Sequence, residues 1–365
     1  MIGLAHSPTD EARRETQPSV NGRARALRWR GVSVRLDSRA VIVSLVLASM
    51  LVVVGCWSIS VGDFPVPMSD VVRTLLGRGT SSSEFIVGTL RLPRVLTGAM
   101  VGAAFGVSGA IFQSLAKNPL GSPDVIGFTF GSALGAVLVI VLVDAASSVA
   151  VSAGAVVGGL LTALVVFVCA WRRGVQAHRL VLVGIGVGYA LAALTNYLLT
   201  QANISDAQRA SVWLTGSLNG RSWDHVRPVG AGLLVLLPMA IWMARSLRLL
   251  ELGDDTAAAL GLRLGRTRLW VVVIGVGLAA LATASAGPVA FVALMAPPIA
   301  RRLVHAPGVT IVPTALVGAL LTVSADLMAR RLLAPLELPV GIFTAVLGAP
   351  YLLWLLTRET RTGEL

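Results

Sequence analysis

The stretch RSLRLLELGDDTAAALGLRLGRTRLW, Arg245 to Trp270, carries five arginines and three acids, Glu251, Asp254 and Asp255. It nevertheless lies between two long apolar runs. Leu252-Gly253-Asp254-Asp255 reads as the start of a short helix, because acids in a first turn suit the positive end of the helix dipole. Gly261 is a natural stop, since glycine accepts the left-handed conformation that ends a helix. A small charged helix held between two bilayer-length segments marks a connection between spans of a polytopic membrane protein.

The rest of the chain agrees. Of its 365 residues 55% are hydrophobic and only 13% charged, with a mean hydropathy of +0.80. Apolar runs of about 20 residues recur, enough to cross a ~30 Å hydrocarbon core. They lack the alternating period of a membrane barrel, which leaves a bundle of helices. Ten spans are predicted, at 40–60, 92–115, 124–143, 149–171, 179–200, 229–247, 269–286, 289–304, 309–329 and 340–357. The expected fold class is an all-α polytopic membrane protein.

Residues 1–39 stand apart, with eight arginines, four acids and no apolar core of a signal peptide. They read as an Arg-rich, mostly disordered cytoplasmic tail. The membrane domain is expected over 40–358 and a short cytoplasmic end over 359–365. With the tail inside, the inner segments hold 21 of the 30 basic residues and the outer ones nine. This asymmetry predicts cytoplasmic N- and C-termini and puts the Arg245–Trp270 stretch in the cytoplasm. The net charge of +12 therefore sets orientation, and no nucleic-acid partner is expected. Cys56 and Cys169 both fall in apolar spans and imply no disulfide framework.

Several chemistries are excluded. The one lysine, Lys117, is followed by Asn118, so the Gly-Lys-Ser/Thr of a phosphate-binding loop is absent. His6, His178, His225 and His305 are too scattered to form a helical metal pair. Gly106-Val107-Ser108-Gly109 lacks the spacing of a nucleophile elbow. Acids within spans, the usual sign of proton or cation coupling, are nearly absent. Asp124 starts one span. Asp326 lies four residues before Arg330, a spacing that suits an ion pair on one helix face.

Six local patterns remain: LRLPR (90–94), NPLGSPDVIGFTFGSALGA (118–136), VWLTGSLNGRSW (212–223), LGDDTAAALGL (252–262), AGPVAFVALMAPPIAR (286–301) and ELPVGIFTAVLGAPYLLWLL (337–356). In this order and spacing, from about residue 45 to 357, the chain resembles the FecCD family. These are the permeases of type II ABC importers for iron–siderophore complexes, haem and vitamin B12. The resemblance implies a permease of about ten helices without enzymatic activity of its own. It would translocate an iron–siderophore or similar large metal chelate across the cytoplasmic (inner) membrane. The implied partners are two ABC ATPase subunits, which carry the ATP and Mg, a substrate-binding protein, a second permease copy or paralogue, and membrane lipid. No cofactor or metal is expected on the chain itself. An ion-gradient-driven secondary transporter is the alternative.

The resemblance also assigns residues. Leu252, Gly253, Asp254, Asp255, Ala257, Ala258, Ala259, Leu260 and Gly261 fall in the coupling helices, about 250–264, that sit in a cleft of the ATPase. Arg91, Arg94 and Arg330 match arginines that meet carboxylates on the binding protein; lipid snorkelling is the other reading of such residues. Gly184, Gly188, Asn196, Tyr197, Thr344 and Gly348 fall on the two spans that line the pathway in relatives, where close packing would also explain the glycines. Two positions depart from the family's FVGLxxPHIAR pattern: Ala293 replaces its glycine and Pro298 its histidine.

Overall fold

The computed structural model describes residues 25–29, 32–36, 38–62, 64–143, 145–170, 177–306, 308–332 and 337–362. Of the predicted tail, strands β1 (Arg25–Trp29) and β2 (Val32–Leu36) pair antiparallel, with Leu27 opposite Val34. VSVRL alternates apolar and polar residues, the period of a strand, a local signal that the tail's overall composition hides. The remainder of 1–37 and the last three residues, 363–365, lie outside the described residues.

Helix α1 (Ser38–Ser60) covers the first predicted span. A short α2 (Met68–Leu75), a single turn α3 (Ser81–Ser83) and a π-helical segment (Glu84–Arg91) lead into α4 (Leu92–Ala116). Pro93, at the start of α4, has no N–H to return to the preceding turn, and that turn is wound wide. Then come α5 (Phe128–Leu142), α6 (Ser148–Ala170), α7 (Ala177–Gln201) and α8 (Ile204–Leu214). The chain continues through α9 (Trp223–Glu251), α10 (Asp254–Ala259) and α11 (Leu264–Ala286). It closes with α12 (Val292–Val304), α13 (Ile311–Arg331) and α14 (Val340–Thr362).

Every predicted span therefore holds a helix, but not all are full crossings. Among the described residues, seven helices are long and apolar enough to cross a membrane: α1, the run 81–116, α6, α7, α9, α11 and α13. The 15 residues of α5 reach only ~22 Å at 1.5 Å per residue. Its helix begins at Phe128, four residues after the predicted start, because 123–127 forms turns and Gly127 takes φ +87°. In that conformation Gly127 lies against Gly184 and Gly188 of α7, where a Cβ would strike the Gly184 carbonyl. The break before α12 is made by Gly287 at φ +75° and by Phe291, left-handed at φ +66°. Its 13 residues are likewise short of a crossing.

The centre of the bundle is α4, buried along most of its length. Four helices, α9, α11, α12 and α13, pack around it. Small residues allow the backbones to touch: Gly102 faces the main chain of Gly318, and Gly109 faces the carbonyl of Ala293. The same device joins α5 to α6, where Gly131 and Gly135 meet Gly158 and Gly154. Phe105, Ile111, Ile274 and Leu278 fill the core between α4 and α11. By contrast α1, α6, α7 and α14 leave large apolar side chains exposed, among them Leu45, Leu164, Tyr189 and Val346. That is the surface of a protein whose surroundings include hydrocarbon.

Candidate functional site

Two opposite ends of the bundle carry charge. At the end formed by loop 61–67, the start of α4 and the end of α13, Arg91, Arg94 and Arg330 come together. The i,i+4 pair expected from sequence is present, with Arg330 Nε 3.2 Å from Asp326 Oδ2. Asp326, 5% exposed, also accepts from Arg94, whose Nη2 lies 2.9 Å from Oδ1. Arg94 Nη1 reaches Glu337 at 3.4 Å. Arg330 Nη2 donates to the hydroxyl of Ser58 in α1. Arg91 donates to the carbonyls of Ile59 (2.6 Å) and Phe64 (2.7 Å). The three arginines thus tie α1, α4 and α13 to one another. Above them opens a cavity of about 610 Å³, lined also by Arg221, Arg331 and Glu337.

At the other end, α10 projects between α9 and α11. Gly253 (φ +110°) starts it and Gly261 (φ +83°) ends it. The Leu262 N–H bonds the Ala257 carbonyl and the Gly261 N–H the Ala258 carbonyl, the 6→1 and 5→2 pair of a glycine-stopped helix. Asp254, in the first turn, accepts from Arg268 Nη2 through both oxygens at 2.7 Å. Arg268 is a buried residue of α11, so this ion pair fastens the short helix to a spanning one. Ala257 is buried, whereas Ala258 and Ala259 are exposed, flanked by Leu252 (62% exposed) and Leu260 (60%). The result is a slim, apolar knob with acids at its N-terminal end.

Near this end α12 runs straight through Pro297-Pro298. Pro298 has no N–H for the carbonyl of Leu294, four residues back. Gln113, buried in α4, supplies the missing donor: its Nε2 donates to Leu294 O at 3.0 Å. Arg301 Nη2 in turn donates to Gln113 Oε1 at 3.1 Å. The substitution of proline for the family's histidine is therefore compensated within this chain.

The six pathway positions separate. Asn196 and Tyr197 are exposed on α7, and Asn196 lines a cavity of about 460 Å³ between α5, α7 and α14. Thr344 is buried and donates to the Gly341 carbonyl. Gly184 and Gly188 accommodate the Ile126–Phe130 segment, and Gly348 accommodates the ring of Phe291. Packing accounts for these three glycines. Asp124, read from sequence only as a span start, is the ionisable side chain of that mostly apolar cavity. Arg221 and Arg268 also escaped the sequence reading, because their settings depend on loop and helix contacts that no local pattern announces.

Comparison with known proteins fits this geometry. The model of the FecCD transport family matches residues 50–358. The chain is 44% identical over 328 residues to the ferric enterobactin transport system permease protein FepG of Escherichia coli (strain K12), covering 90% of this chain and 99% of that one. It is 38% identical over 327 residues to a siderophore transport system permease protein, YfhA, of Bacillus subtilis (strain 168), covering 88% and 95%. A solved metal-chelate type ABC transporter in an inward-facing conformation superimposes with a TM-score of 0.78 at 28% identity, covering 87% of this chain and 99% of that one. With the buried α4 mast, the α10 knob and a matching length from end to end, this multi-pass membrane protein belongs to the FecCD transport family.

Proposed function

We propose that the chain is the membrane-spanning permease of an ABC importer for iron–siderophore or a similar large metal chelate. The observation that carries this reading is the near full-length correspondence with iron–chelate permeases. The protein works as a dimer, with a second copy or a paralogue, in the cytoplasmic (inner) membrane. A substrate-binding protein delivers cargo at the basic cavity around Arg91, Arg94 and Arg330. Two separate ATPase subunits, with their ATP and Mg, engage α10. Cargo passes along the apolar face of α7 and α14. A knob tied to α11 by a short ion pair supports the transmission of movement, since a chain without a phosphate-binding loop must receive ATP-driven motion through a rigid surface element.

Two tests follow from this. Permease and ATPase subunits reconstituted in proteoliposomes are expected to take up ferric siderophore only with ATP and the binding protein. Uptake driven by an imposed pH or sodium gradient without ATP would instead establish the secondary-transport alternative. For orientation, the termini are expected in the cytoplasm. In a background lacking Cys56 and Cys169, Asn219→Cys, at an exposed position of the 215–222 loop, should label in intact cells. Thr256→Cys on α10 should label only after permeabilisation, and the reverse pattern overturns the assignment.

A further inference from the structure

A smaller cavity, of about 230 Å³, opens at the end of the bundle opposite α10, between the end of α5, the start of α6, α8 and the 215–222 loop. Its lining includes Ser148, Ser152, Arg209, Trp213 and Arg221, and no acid among the described residues. That volume lies below the roughly 300–1,000 Å³ that drug-sized ligands fill. It suits a small anionic group and excludes a large metal chelate. Arg209 Nη2 lies 2.9 Å from Asp206 Oδ1, in a pair whose arginine is 50% exposed. Such an exposed pair is cheaply shared with a second anion.

Arg221 also borders the 610 Å³ cavity, where its neighbours Arg94 and Arg330 are held by Asp326. Its own Nε donates to the Ser217 carbonyl at 3.1 Å, and among the described residues no carboxylate pairs with it. Burial pushes its guanidinium down to about 10, the mark of a cation short of counter-charge. The loop that holds it is fixed at both ends. The Ser217 N–H bonds Ala286 O at 2.8 Å, the Gly341 N–H bonds Gly216 O at 3.1 Å, and Ser222 caps α9. A rigid mount lowers the ordering cost of binding. The first turn of α6 is held as well, by the Ala150 N–H on Ser147 Oγ at 3.2 Å, and it adds the positive end of a helix dipole to the rim.

From the same rim a column of apolar side chains runs along α6. Val149, Val157, Leu160, Leu164 and Val168 are each at least 46% exposed, and their spacing keeps them on one helix face. The 19 steps from Val149 to Val168 cover ~28 Å at 1.5 Å per residue, close to the ~30 Å of a hydrocarbon core. A basic cavity at the head of such a column has the two-part shape of a phospholipid. We propose that the cavity of Arg209 and Arg221 binds the phosphodiester of a membrane phospholipid whose acyl chains lie along the exposed face of α6. A guanidinium suits bidentate capture of phosphate oxygens. Trp213, partly exposed beside it, is the kind of side chain that sits at headgroup level. The site requires only that the chain be a multi-pass membrane protein, so it stands apart from the importer reading.

The test is native mass spectrometry of the delipidated, detergent-purified full chain, titrated with phosphatidylglycerol. The wild type is expected to retain one tightly held lipid, and that lipid should raise its melting temperature. Arg221→Gln should weaken retention by about tenfold or more, the loss of a charge-assisted hydrogen bond. Arg209→Gln should weaken it less, because that arginine is shared with Asp206. Arg221→Lys keeps the charge and should retain most of the affinity. Arg73→Gln, a 70% exposed arginine of α2, should change nothing. Retention unaltered in both Arg221→Gln and Arg209→Gln overturns the proposal. If Arg221→Gln melts lower before lipid is added, Arg209→Gln decides, and full retention there leaves Arg221 a loop brace. Inorganic phosphate or glycerol phosphate that protects as well as the lipid would make the site one for a soluble anion, and the proposal fails.

Discussion

Asp326→Ala is expected to destabilise the protein by about 3–5 kcal/mol, the cost of removing one partner from a buried ion pair. The side chain is 5% exposed and lies between two guanidiniums that are themselves only 13% and 11% exposed. Without the carboxylate, Arg94 and Arg330 face each other with no shared counter-charge. Arg94 keeps only the 3.4 Å contact with Glu337, and Arg330 keeps the hydroxyl of Ser58. These ends of α1, α4 and α13 lose their common anchor. The melting temperature of the detergent-solubilised protein should fall by roughly 10 °C. Glu337→Gln is the control: that carboxylate is 41% exposed, and its loss should cost no more than about 1 kcal/mol. An Asp326→Ala protein that melts with the wild type would mean that the two arginines carry their charge without this acid, and the anchor described above would be wrong.

Ala258→Trp should sharply reduce transport while leaving the protein folded. Ala257, the buried member of α10, is untouched, and the exposed Ala258 lies on a short helix between two spans. In the proposed complex a bulky ring on the slim face would keep α10 out of a groove on the ATPase, yet no span need repack. Chelate uptake is expected to fall roughly 10–100-fold, on the order of a full site-to-site coupling energy. Membrane insertion and melting temperature should be unchanged, and ATP hydrolysis should no longer respond to the loaded binding protein. Normal transport in both Ala258→Trp and Ala259→Trp would reduce α10 to a tether between α9 and α11.

Much of this architecture is legible in the sequence, for a physical reason: in hydrocarbon each backbone group must be paired within its own helix, so a long apolar run is a helix wherever it lies. All ten runs became helices, and the stop at Gly261 and the Asp326–Arg330 pair are local enough to read. What escaped depends on distance or on backbone. The short α2 and α8 carry no span-length signal. The late start of α5 follows from Gly127 closing on α7, and the break before α12 from Phe291 in a left-handed conformation that few residues adopt. Arg94 meets Asp326 across 232 positions of chain. Arg221 looks like any loop arginine until the folded cavity shows which of its neighbours are already paired.

The double proline of α12 has a consequence for how this protein changes over generations. Leu294 O takes the amide of Gln113 as a donor where Pro298 withholds the usual one. Losing Gln113 alone strands a buried carbonyl and takes an acceptor from Arg301. Restoring an N–H at 298 adds a second donor to a carbonyl oxygen that has two lone pairs, so it costs little while Gln113 stays. Losing Gln113 is costly while proline holds 298 and cheaper once a residue with an N–H stands there. The order of the two changes therefore matters, and positions 113 and 298 are expected to be coupled. The cost of losing Gln113 would be judged according to a residue 185 positions away.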